Sequence, residues 1–184
     1  MLKKYQVVYL GNLEKVFLEL LSDPAIELKA YLMEEGDGDD GVLMTLAEKK
    51  QIPLYRVSSN QDIRQAFLEI GDVNLGVIAN FGIILDAQNL AAAKHGFVNL
   101  HFGLLPERPG RHPIVDAMQN KDAFTGATLH WATAQVDEGA VIAQKRVALN
   151  PSKVHDQIFE RLEDLAAALL KENLHKIIPT PSGN

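Results

Sequence analysis

Asn99 and His101 stand two residues apart at the end of a short apolar run, in the stretch FVNLH. Side chains alternate along a strand, so this spacing puts both on one face. In open parallel sheets, ligands gather beyond the carboxyl ends of the strands. An amide and an imidazole there can both hydrogen-bond to one developing oxyanion. A polar strand end satisfied by its own turn is the competing reading of these two residues taken alone. The chain has no cysteine, which removes disulfides, thiolate nucleophiles and cysteine-ligated zinc together. The run Gly36 to Gly41, three aspartates among three glycines, lacks the ligand positions and closing glutamate of a calcium loop. It reads as a solvated turn, and no metal site is expected.

The elements that must position such residues are legible as alternating periods. Gln6 to Leu10 predicts a first strand. Leu13, Val16, Phe17, Leu20 and Leu21 then fall on one stripe of an amphipathic helix. Strands are predicted at Ile26 to Leu32, Ile52 to Val57, Leu75 to Ala79 and Phe97 to Leu100. Helices are predicted at Val42 to Lys50, after a Ser59/Asp62 start, and from Asp86 to Lys94. This alternation predicts an α/β fold, Rossmann-like, with a mixed, mainly parallel sheet and helices on both faces. After residue 112 the pattern becomes a short helix (114–119), two strands (125–131 and 141–149) and a long helix following Ser152. The apolar face of that helix is read as Val154, Ile158, Leu162, Leu165 and Leu169. The closing PTPSGN reads as a frayed tail.

A length of 184 residues with 47% hydrophobic content suits one compact domain. The formal net charge is −6, with no basic stripe to neutralise a phosphate backbone, which argues against nonspecific nucleic-acid binding. No apolar stretch reaches membrane-spanning length and the N-terminus has no signal-peptide cleavage pattern, so a cytoplasmic protein without membrane partners is expected. No feature speaks to oligomeric state.

FVNLHFGLLPERPG followed by FTGATLHWATAQVDEGAVIAQKRV resembles the catalytic half of the 10-formyltetrahydrofolate-dependent formyltransferases. The matching elements are Asn99 and His101; Leu104, Leu105, Pro106 and Gly110; Thr125, Gly126, Thr128 and His130; and Asp137 and Gly139. They occur in order at matching spacing from about residue 73 to 147. The resemblance implies a single formyltransferase domain over 1–184, with a substrate-binding half (1–72), a catalytic half (73–150) and a C-terminal helix and tail (151–184). It implies 10-formyltetrahydrofolate as formyl donor and a small-molecule primary amine as acceptor, with an amino sugar nucleotide as the expected example. Asn99, His101 and Asp137 would be catalytic. Phe81, Ile83, Ile84, Leu85 and Leu104, with Asp137, would hold the folate. Gly11, Asn12, Arg108, Arg111 and His130 would face the acceptor.

Formyl transfer requires an amine to attack a carbonyl, giving a tetrahedral anion. A carboxylate beside an imidazole favours its charged form, so a protonated His101 with Asn99 would hold the oxyanion and Asp137 would take the amine's proton. For Phe81 and Ile84 an ordinary core position is an equal reading. His130 also fits a buried histidine bonded to backbone. His95, His155 and His175 read as surface residues without partners. The turn after the first strand, LGNLEK, lacks the glycine-rich phosphate cradle of glycinamide ribonucleotide transformylase, and no tRNA domain like that of methionyl-tRNA formyltransferase is expected. Hydrolysis of the formyl donor, or noncatalytic folate or nucleotide binding, are the alternative functions.

Overall fold

The computed structural model describes residues 4–36, 41–149 and 154–178. The aspartate run after Gly36, Ser152 and the PTPSGN tail lie outside the described residues. Seven strands form one sheet: β1 (Tyr5–Gly11), β2 (Ile26–Glu34), β3 (Leu54–Val57), β4 (Leu75–Ala79), β5 (Phe97–His101), β6 (Phe124–Trp131) and β7 (Val141–Ala148). Their order is β3-β2-β1-β4-β5-β6-β7. The first five are mutually parallel. β6 runs antiparallel to β5, and β7 antiparallel to β6. The sheet is thus mixed and mainly parallel, as the alternating periods require.

Period-2 alternation divides the core in two. Tyr5, Val7 and Tyr9 face one layer, while Val8 and Leu10 face the other. The first layer is covered by α1 (Glu14–Ser22), α2 (Gly41–Lys49), α5 (Pro113–Gln119) and α6 (His155–Ile177), through residues such as Phe17, Leu43, Ile114 and Leu162. The second is covered by α3 (Asn60–Ile70), whose Ile63, Ala66, Phe67 and Ile70 are buried, and by the single turn α4 (Ala87–Leu90). Ser59 caps α3: its side chain accepts from the Asp62 N–H, while the Asp62 carboxylate accepts from the Ser58 N–H. That backbone donor, with the Ser58 and Ser59 hydroxyls, holds the Asp62 carboxyl below the usual carboxylate range.

Two predicted elements differ. The helix expected from Asp86 to Lys94 stops after four residues, although Asp86 caps it by accepting from the Asn89 N–H. Lys94 and His95 instead donate to the carbonyls of Val73 and Asn74, and Ala93 bridges Val73. Sheet pairing therefore replaces helix propagation. Val154 is the exposed N-cap of α6, not part of its apolar stripe, which runs through Ile158, Leu162, Ala166, Leu169, Leu170 and Leu174. Among the described residues, no helix is long and apolar enough to cross a membrane.

The strand order reverses between β1 and β4. Chains leaving these two strands diverge to opposite faces and open a crevice at the carboxyl edge of the sheet. β5, the last parallel strand, ends beside that crevice with Asn99 and His101.

Candidate active site

Asn99 and His101 come from the end of β5. The antiparallel register sets Asn99 opposite His130 and His101 opposite Thr128 on β6. Asp137 arrives from the β6–β7 connection with φ 58°, the left-handed region that aspartate tolerates better than most residues. The three polar groups meet. Asp137 Oδ2 lies 3.6 Å from His101 Nδ1, and its Oδ1 lies 3.6 Å from His130 Nε2. The Asp137 side chain is only 6% exposed, His101 7% and His130 2%.

Hydrogen bonds decide where the protons sit. His130 Nδ1–H donates to the Trp131 carbonyl at 2.9 Å, so its Nε2 is an acceptor and takes an N–H from the Asn99 amide at 3.0 Å. Burial pushes the His130 pKa down, outweighing the Trp131 carbonyl and the Asp137 charge, which push it up. His130 is thus a neutral acceptor that orients Asn99. His101 Nε2–H donates to the Arg108 carbonyl at 2.6 Å, leaving Nδ1 toward Asp137. Asp137 Oδ2 accepts from the Gly110 N–H at 2.7 Å. Asp137 Oδ1 lies toward the unprotonated His130 nitrogen.

These groups line a cavity of about 570 Å³ at the crevice. Phe81, Ile83, Ile84 and Leu85 form one apolar wall, with Leu85 buried and Ile84 58% exposed. Arg111 also lines the cavity and donates to the Gly82 carbonyl at 3.0 Å. The other expected contacts lie elsewhere. Leu104 faces a separate cavity beside β6 and β7. Arg108 turns its guanidinium away and grips Asp122 with two bonds, at 2.6 and 2.7 Å. That pairing raises the Arg108 pKa and lowers that of Asp122. Gly11 and Asn12 lie outside the cavity wall. Gly11 packs against the Ala79 backbone, leaving no space for a Cβ, and Asn12 Oδ1 accepts from the cavity-lining Asn80 at 2.6 Å.

Sequence reasoning missed several lining residues. Glu34 ends β2 and accepts from the Gly82 N–H at 2.7 Å, bracing the apolar-wall segment. Its position at a strand's carboxyl end, next to the switch point, was the available signal. His155 and Phe159 reach the cavity from α6, a long-range placement that local pattern does not encode. His155 also lies 3.3 Å from Asp156, and His175 pairs with Asp23 at 2.7 Å. Neither is without a partner, contrary to expectation. Among the described residues no His, Cys, Asp and Glu cluster has metal-binding geometry.

The formyl transferase family model matches residues 36–174. Methionyl-tRNA formyltransferase of Thermotoga neapolitana is 32% identical over 133 residues, 72% of this chain and 42% of that protein. The chain therefore spans less than half the length of that curated relative. Among solved structures, phosphoribosylglycinamide formyltransferase from Bacillus halodurans superposes with a TM-score of 0.81 at 21% identity, covering 94% of each chain. A sugar N-formyltransferase from Shewanella superposes at 0.75 and 19% identity, covering 98% of this chain and 75% of that one. At these identities the two structures establish the shared fold.

Proposed function

The chain belongs to the formyl transferase family, and on that premise we propose that it transfers a formyl group from 10-formyltetrahydrofolate to a primary amine at Asn99, His101 and Asp137. The observation that carries this reading is the meeting of an amide, an imidazole and a carboxylate from two chain segments inside one apolar-walled cavity. Such a cavity suits a flat heteroaromatic ligand held by apolar walls and a few convergent polar groups. Phe81, Ile83, Ile84 and Leu85 would hold the folate, braced through Gly82 by Glu34 and Arg111.

The folate supplies an electrophilic formyl carbon. As the amine adds, charge grows on the formyl oxygen and the nitrogen carries a surplus proton. Asn99 spends one amide hydrogen on His130 and keeps the other for that oxygen. His101 commits its Nε2–H to the Arg108 carbonyl and turns Nδ1 toward Asp137, so its ring is held edge-on to the reacting centre. Asp137 Oδ1 accepts the amine's proton and returns it to the departing folate nitrogen. No covalent enzyme intermediate is required.

The preferred acceptor is a small amine such as an amino sugar nucleotide, entering on the side of Arg111 and His112. Arg108, committed to Asp122, is not assigned to it. Methionyl-tRNA is the second reading, favoured by the name of the sequence relative. The experiment is tetrahydrofolate release from 10-formyltetrahydrofolate with an amine panel that includes an amino sugar nucleotide, glycinamide ribonucleotide and methionyl-tRNA. Release only with a small amine supports the first reading. Release without any amine would make the protein a hydrolase, and ligand binding without release would make it a binding module.

A further inference from the structure

The segment from Gly103 to Gly110 contacts both halves of the reacting centre through its backbone. The Arg108 carbonyl accepts from His101 Nε2, and the Gly110 N–H donates to Asp137 Oδ2. The spacing of the His101 and Asp137 side chains thus depends on where this one loop sits. Its start is pinned to the sheet. Thr128 Oγ1 donates to the Gly103 carbonyl at 2.6 Å and accepts from the Leu105 N–H and the Gln144 amide. Gln144 also donates to the Leu105 carbonyl at 2.7 Å. At its far end the Arg108 N–H donates back to the Leu104 carbonyl at 2.8 Å, and the Arg108 side chain ties the loop to the sheet by its paired grip on Asp122 at the entry to β6. Gly103 completes the device. A Cβ there would lie 2.7 Å from His101 Nε2 and would overlap the Arg108 carbonyl. Only glycine lets that carbonyl reach the imidazole.

We propose that Asp122 is a positioning residue: by gripping Arg108 it fixes the loop whose Arg108 carbonyl and Gly110 N–H orient His101 and Asp137. The kinetic part of this proposal rests on the formyl-transfer reading, but the geometric part does not. A partly exposed ion pair adds little to global stability, whereas an ångström of displacement at a reacting centre costs up to a hundredfold in rate. Asp122 therefore affects turnover far more than melting.

The test uses Asp122→Asn and Asp122→Glu, with Arg108→Gln as an independent way to release the loop. In the unliganded protein, 15N imidazole spectra should place the neutral His101 proton on Nε2. Asp122→Asn should mix the two tautomers while shifting Tm by less than about 4 °C. Its kcat should fall about ten- to a hundredfold with the donor KM within about twofold, and Asp122→Glu should recover most of the loss. Native His101 spectra and native kcat in a folded Asp122→Asn variant overturn the proposal. If that variant does not fold, the same outcomes in Arg108→Gln decide it. If the native protein formylates nothing, the functional reading fails, and the His101 tautomer still settles whether Asp122 positions the ring.

Discussion

At the scale of single residues, the site works through matched donors and acceptors, which makes its substitutions separable. Asp137→Asn keeps the size of the side chain and an oxygen for the Gly110 N–H, but loses the proton acceptor and the charge beside His101. The protein should fold normally and lose turnover about a hundredfold or more, read as tetrahydrofolate release. Near-native turnover would sink the mechanism. Asn99→Ala removes the proposed oxyanion donor and should cost about 3 kcal/mol of barrier, a few hundredfold in kcat. His130 has a different signature. Its pKa is lowered in the folded state, chiefly by burial, so the unfolded chain binds the proton more readily. Stability is then complete above the ordinary histidine value of about 6.5 and declines as pH falls through and below it. Thermal melts from pH 8 to 5 should show that acid limb, and His130→Gln should flatten it. A native-like limb in the variant would assign the loss to other groups.

At the scale of elements, the strands and helices that carry the site follow from apolar period, and their placements agree with the sequence to within a few residues. The Asn99 and His101 pair is likewise legible, because a period of two dictates a shared face. Directions of loop side chains are not. Leu104 and Arg108 sit in the right segment, yet tertiary bonding to β6 and to Asp122 turns them away from the cavity. Glu34, His155 and Phe159 reach it from elements far apart in sequence, a juxtaposition set by sheet order and by α6 docking. α6 illustrates the consequence. Leu162 is fully buried at the α6 contact with the sheet, so Leu162→Ala should destabilise by about 2 to 5 kcal/mol in a denaturant titration. The same helix brings Phe159 onto Phe102, with ring centroids 5.0 Å apart and edge-on. Phe159→Ala should therefore raise the donor KM more than it lowers kcat, since it removes cavity wall and no reacting group. A fall confined to kcat would mean that Phe159 acts on the chemistry.

At the scale of the whole molecule, electrostatics bear on the open question of the acceptor. The chain carries 18 basic and 24 acidic residues, net −6, and several cations are already committed: Lys15 to Asp164, Arg64 to Asp86, Arg108 to Asp122 and Lys145 to Glu172. A surface of that balance attracts a polyanion poorly. Proteins that release many counterions from a nucleic acid lose about a thousandfold or more in affinity between 50 and 200 mM salt. A small amine with one or two phosphates, steered by Arg111 and nearby histidines, has a far weaker dependence. The acceptor's kcat/KM should therefore fall by less than about tenfold over that salt range. Measuring the salt slope with each competent acceptor decides between the readings without a structure of the complex. A steep slope with methionyl-tRNA, together with turnover exceeding that of every small amine, would transfer the assignment to tRNA.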